Sequence, residues 1–271
     1  MKKTNLLFPL TLSLLVSALT VSCSTKKTAG NLSKIKAEGA VTIAMEGSWQ
    51  PWTYHNENNE LTGFDVEVGR KIAEKLGVEA KFAEVNWDAI FLGIDSGIYD
   101  MACNGVEVTH ERSEKYNFSI PYAFASAVLI VKADNHDIHS FEDLKGKTTT
   151  NSLGSTYAEI GEKYGATVQT IDSFEETIQN VENGRVDATI NDEETFNSYI
   201  AEKFNGDPSK APVKAAAKIN GISKIAIPVR KSDETSELLD AVNKAIKELK
   251  ESGQLSELSV KYFGKDITSG Q

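Results

Sequence analysis

Short apolar runs of period two alternate with longer stretches of period near 3.6 along this chain from residue 39 onward. "GAVTIAM" (39–45) alternates at Val41 and Ile43 and predicts a first strand. "FDVEVGRKIAEKLG" (64–77) sets Val68, Ile72 and Leu76 four apart on one helical face, with Gly77 as its stop. "AKFAEV" predicts a strand, "WDAIFLGIDSG" a short helix ending at Gly97, and "YDMACNGV" a third strand. "AVLIVKAD" (127–134) is a strong extended run, followed by "SFEDLKG" with Ser140 as N-cap and Asp143 three later. The alternation then restarts. "GKTTTN", "TVQTI" and "RVDATIND" predict strands, separated by helices over "STYAEIGEKYG" and "SFEETIQNVENG". "SKIAIPV" is a last extended run, and "SELLDAVNKAIKELKESG" carries Leu238, Val242, Ile246 and Leu249 on one stripe. A final helix holds Leu255, Leu258 and Tyr262.

Strand–helix alternation at this spacing predicts an α/β protein with parallel-type sheets covered by helices. The same grammar runs twice, which predicts two lobes. Lobe 1 is expected over 33–128 plus 224–271 and lobe 2 over 133–222. The extended crossings "VLIVKA" and "KIAIPV" are the expected hinge strands.

Composition changes this picture mainly at the N-terminus. "MKKTNLLFPLTLSLLVSALTVSC" has two lysines, an apolar run from Leu6 to Leu19 and small residues leading to Cys23, the layout of a secretory signal. It resembles a bacterial lipoprotein signal over residues 1–22, with lipid attachment at Cys23, although Thr20 stands where such signals usually carry Leu or Val. Residues 23–32 read as a flexible tether. With Cys23 lipidated, Cys103 has no partner for an internal disulfide and reads as a small buried hydrophobe. The net charge of −10 and the lack of a basic block beyond Lys26 and Lys27 exclude a nucleic-acid partner. The four histidines lie in polar turns and no HExxH, GxSxG or Walker motif occurs, so no metal or cofactor is expected. A monomer is expected.

The candidate chemistry lies at predicted strand ends. In "NGVEVTHERSEKYNFSIPY" (104–122), Arg112 offers a planar fork matched to a carboxylate, or else is a surface arginine paired with Glu111 or Glu114. Gly154, Ser155 and Thr156 sit at a strand-to-helix turn whose free N–H groups suit an anion, or Ser155 and Thr156 are only N-caps. "RVDATINDEETF" ends a strand with acids that would partner an ammonium or cap the next helix. "EGSWQPWTY" sets two tryptophans and a tyrosine around Pro51, suited to an apolar ligand slot or to core.

From Gly39 to Gly264 the chain resembles the extracytoplasmic substrate-binding proteins of polar amino-acid ABC importers. Five pieces in order carry the likeness: "GSWQPWTYHNENNELTGFDVEVGRKIAEKLG", "WDAIFLGIDSGIYDMACNGVEVTHERSEKYNFSIPY", "SLGSTYAEI", "GRVDATINDE" and "KYFGKD". The resemblance implies the two-lobe, type II periplasmic-binding-protein-like fold, closing by a hinge on one free amino acid. It implies that Arg112, with backbone donors near Asn104 and Gly105, binds the α-carboxylate and that Asp192 takes the ammonium. It also implies that Trp49 covers the ligand and that Trp52 lies deeper in the wall. Glu107 departs from the family, which commonly has a small hydroxyl residue there. A carboxylate at that point favours a cationic amino acid or cystine, unless it faces away. The implied partner is an ABC permease in the membrane. The alternatives are a cyclohexadienyl dehydratase-like enzyme of the same fold and a ligand-sensing surface lipoprotein.

Overall fold

The computed structural model describes residues 30–270, so the expected leader and the lipidation site Cys23 lie outside the described residues. The described residues open with a helix that the apolar pattern did not predict, α1 (Asn31–Glu38), which buries Ile35 and ends at Gly39. Its start lies inside the segment expected to be tether.

The first sheet is built from β1 (Ala40–Met45), β4 (Glu79–Glu84) and β5 (Met101–Ala102), all parallel, in the order β4-β1-β5. Between β1 and β4 come a small hairpin, β2 (Tyr54–His55) and β3 (Leu61–Thr62), and then α2 (Phe64–Leu76). α2 buries Val68, Ile72 and Leu76, the stripe its spacing predicts. α3 (Trp87–Ser96) links β4 to β5, and Gly97 closes it in a left-handed conformation. The charged turn becomes a short helix, α4 (His110–Lys115), because Thr109 accepts from the Arg112 N–H as its N-cap. β6 (Tyr116–Phe118) and β7 (Ala123–Ala125) follow.

The second sheet has five strands in the order β10-β9-β11-β8-β12: β8 (Ala127–Lys132), β9 (Thr148–Asn151), β10 (Thr167–Thr170), β11 (Ala188–Asp192) and β12 (Val213–Lys218). β9, β10 and β11 run parallel, while β8 lies antiparallel to β11 and β12. α5 (Thr156–Lys163), α6 (Phe174–Glu182) and α7 (Glu193–Phe204) connect and flank these strands.

This topology corrects one expectation. "VLIVKA" is no crossing: its residues Val128 to Val131 are buried in the second sheet. The crossings are β7 and β13 (Ser223–Ile225), which pair antiparallel as a two-stranded ribbon. The chain then forms β14 (Pro228–Arg230) against β6, followed by α8 (Ser236–Glu251) and α9 (Gln254–Phe263). Both helices pack on α2, and Lys75 pairs with Glu248 at 3.0 Å. The fold is a two-lobe α/β structure joined by a short ribbon, and no described helix is long and apolar enough to cross a membrane.

Candidate functional site

A cleft opens where the carboxyl ends of the parallel strands of both sheets face one another. Glu46 follows β1 and Gly105 follows β5 on one wall; Asn151 ends β9, Asp172 follows β10 and Asn191 lies at the end of β11 on the other. Parallel strands deliver side chains to one edge of each sheet, so the topology alone collects these residues.

Among the described residues, three hydrogen bonds cross the cleft beside these groups. The Arg112 Nη2 donates to the Gly154 carbonyl at 3.2 Å, the Trp49 indole N–H to Asn191 Oδ1 at 3.2 Å, and Asn86 Nδ2 to Asp172 Oδ2 at 3.0 Å.

Arg112 is 8% exposed and its guanidinium stacks over the Trp87 and Phe91 rings at 5.1 and 5.4 Å. Its Nη1 donates to the Glu107 carbonyl at 3.2 Å. Burial pulls the Arg112 pKa down, and the charges of Glu107 and Glu159 oppose that shift. Of five N–H donors the protein engages two, leaving a charged fork at the cavity wall.

Across from it stands the start of α5. Ser155 accepts from the Ala158 N–H as N-cap, and Ser155 and Thr156 both line the cavity. The cap reading and the ligand reading of this turn are therefore compatible.

Trp49 lines the cavity and stacks on Trp52, ring centres 5.6 Å apart. Trp52 is fully buried among Trp49, Phe64 and Phe263 and does not line the cavity. It supports Trp49 from behind.

Gly105 lines the cavity, but its N–H is not free for a ligand because it donates to the buried Asp65 carboxyl. That carboxyl also accepts from the Tyr122 hydroxyl at 2.7 Å, and burial raises its pKa to about 7. Gly105 has φ +55°, and an added Cβ would stand 2.6 Å from the Trp49 ring. Gly105→Ala is therefore expected to displace Trp49, costing roughly 1–3 kcal/mol of stability and about tenfold in ligand affinity. Urea titration followed by tryptophan fluorescence, with calorimetry beside it, checks both.

Asn104 is buried outside the cavity and acts as a brace. Its Oδ1 accepts from the Glu46 N–H at 2.8 Å and its Nδ2 donates to Glu46 Oε2 at 2.7 Å. Glu46 is thereby held at the wall, with its pKa raised to about 7 by burial, against the Asn104 bond, and further by the Asp172 charge.

Glu107 is buried and does not line the cavity; it meets Arg112 through its carbonyl and its charge. Asp192 is 0% exposed, caps α7 through the Thr195 N–H and hydroxyl at 2.8 and 2.6 Å, and also does not line the cavity. Burial raises its pKa to about 6. The neighbour that faces the cleft is Asn191.

The structure thus brings together Trp49, Gly105, Arg112, Ser155 and Thr156, and keeps Trp52, Asn104, Glu107 and Asp192 behind the wall. Sequence reasoning missed Glu46, Asn151, Asp172 and Asn191 on the wall. Each closes or follows a parallel strand, and that position was the available signal.

The family model for bacterial extracellular solute-binding proteins, family 3, matches residues 41–265. The L-cystine-binding protein TcyA of Bacillus subtilis (strain 168) is 39% identical over 235 residues, covering 86% of this chain and 85% of that protein. The L-cystine-binding protein TcyJ of Escherichia coli (strain K12) is 34% identical over 242 residues, covering 88% of each. Among solved structures, an ancestral arginine-binding protein bound to arginine superposes with a TM-score of 0.75 at 34% identity, covering 83% of this chain and 99% of that one.

Proposed function

This chain belongs to family 3 of the bacterial extracellular solute-binding proteins, and from that premise we propose that it binds a free polar L-amino acid between its lobes and delivers it to an ABC permease. The observation that carries the reading is the Arg112 fork at the cavity wall, fixed by Trp87 and Phe91 and facing the start of α5. A fork and a helix start together suit one α-carboxylate. Trp49 covers the ligand, and Asp192 supplies negative charge for the α-ammonium from behind Asn191.

The substrate class we favour is a cationic amino acid or cystine. The names of the relatives, cystine-binding and arginine-binding, support it. So does the cavity, which carries the carboxyls of Glu46 and Asp172 against the single guanidinium of Arg112. The case for a cationic ligand therefore rests on these two residues and not on Glu107. Binding closes the lobes about the β7–β13 ribbon, with the chain held to a bacterial membrane through lipid on Cys23.

Calorimetry against the twenty amino acids and cystine tests the reading. Heat is expected with arginine, lysine or cystine, and silence with all of them overturns it. A second reading, an enzyme of the same fold, draws on Glu46, whose pKa near 7 at a cavity wall suits an acid or base. Product formation on prephenate or arogenate would establish that reading.

A further inference from the structure

Asp65 stands in the first turn of α2, where an acid usually serves the helix itself. Here both carboxyl oxygens are taken by other parts of lobe 1. Oδ1 accepts from the Tyr122 hydroxyl at 2.7 Å and Oδ2 from the Gly105 N–H at 2.5 Å. Asp65 and Tyr122 are both fully buried. The Asp65 N–H in turn donates to the Trp52 carbonyl at 3.0 Å. That fastens α2 to the turn in which Trp49 and Thr53 donate to each other's carbonyls at 2.8 and 2.6 Å.

The two donors that meet on this carboxyl belong to different working parts. Tyr122 directly precedes β7, and its N–H donates to the Ile225 carbonyl of β13 at 2.9 Å. Gly105 opens a segment that pairs with β13 as well. Glu107 bridges Ile225, the Val108 N–H donates to the Lys224 carbonyl at 2.9 Å, and the Ala226 N–H donates to the Val106 carbonyl at 3.0 Å. The hinge ribbon therefore carries a third segment, residues 106–108. The same backbone holds Arg112 through the Glu107 carbonyl, and the Trp49 ring closes on Gly105. A carboxyl with two oxygens can satisfy both donors at once, which a side chain with one acceptor cannot.

We propose that Asp65 is a positioning residue for ligand binding, its buried carboxyl fastening the cleft loop at Gly105 to the hinge at Tyr122. It acts through Gly105, and so through the seats of Trp49 and Arg112, from behind the cleft wall. With the carboxyl in place, hinge strand, cleft loop and aromatic turn move as one body when the lobes close. Without it, the Gly105 N–H and the Tyr122 hydroxyl are buried donors with no acceptor, and the loop is released to find one. The proposal rests on the amino-acid-binding reading above.

The test measures affinity and local opening separately, by calorimetry with arginine, lysine and cystine and by amide hydrogen exchange. Asp65→Ala is expected to weaken binding by the folded protein about 10- to 100-fold. Asp65→Asn, which keeps an acceptor for the Gly105 N–H, is expected to recover most of that loss. Tyr122→Phe removes one hydroxyl and no bulk, so it decides the matter if Asp65→Ala does not fold. It is expected to cost roughly three- to tenfold in affinity and to speed exchange of the Gly105 amide about tenfold. Exchange of the Ile43 amide in β1 should stay as in the wild type. Variants that lose stability but keep wild-type affinity and wild-type Gly105 exchange would show Asp65 to be core alone, and would overturn the proposal. An Asn variant no better than the Ala variant would overturn the hydrogen-bonded link. A wild type that binds none of the three ligands would remove the underlying reading, while Gly105 exchange in Tyr122→Phe would still decide whether loop and hinge are joined.

Discussion

Replacing Arg112 by alanine is expected to weaken amino-acid binding by about 10²- to 10⁴-fold, measured by calorimetry with the best ligand. The magnitude follows from the fork. Two charge-assisted hydrogen bonds to one carboxylate are lost, each worth roughly 1.5–3 kcal/mol. Arg112 is pre-positioned for them by two aromatic rings and by the carbonyls of Glu107 and Gly154, so little ordering is needed when a ligand arrives. Arg112→Lys separates charge from geometry. A lysine keeps the charge but presents no planar fork and cannot hold both carbonyls, so an intermediate loss is expected. If Arg112→Ala binds within a few-fold of the wild type, the carboxylate assignment fails.

The sequence made the elements legible wherever burial imposes a period. α2 and α8 show their stripes because one helical face packs and the other is solvated, and both bury the residues the stripe names. β8 misled for a physical reason. A strand with neighbours on both sides and cover on both faces is a continuous apolar run, and such a run looks the same in a sheet as in a crossing. The true crossing, β7, has three residues, "AFA", too few to display any pattern. In the site, residues whose chemistry is distinctive in itself were legible: Arg112, the tryptophan Trp49, and the glycine–hydroxyl turn before α5. Residues whose role depends on which way a strand end turns were not. Adjacent side chains of a strand point to opposite faces, so Asn191 meets the cleft and Asp192 does not. Glu46 and Asp172 are ordinary acids in sequence, and only the facing of two sheets turns them into one wall.

Stability is expected to rise as pH falls from about 8 to about 5, opposite to the usual acid destabilisation. Three buried carboxyls drive this. Burial raises Asp65 and Glu46 to about 7 and Asp192 to about 6, against ordinary values of 3.8, 4.5 and 3.8. The sign follows from linkage: a folded-state pKa above the unfolded one means that the folded protein binds more protons in between. The contribution is fully present below the unfolded values and disappears as pH rises through 6 to 7. Hydrogen bonds from Tyr122, Gly105, Asn104 and Thr195 temper each shift, so a net change on the order of a few kcal/mol is expected. The net charge of −10 acts in the same direction, since protonation relieves self-repulsion. Lysine or arginine affinity should move the opposite way. A cation beside Glu46 favours its charged form, so binding strengthens with rising pH through about 7 and releases a proton below it. Urea titrations and calorimetry at pH 5.5 and 8 check both slopes, and buffers of different ionisation enthalpy count the proton. Stability that is flat or falls toward pH 5.5 would mean that these carboxyls are charged in the folded protein. Opposed slopes would instead show the cleft resting partly protonated and yielding that proton to a cationic ligand.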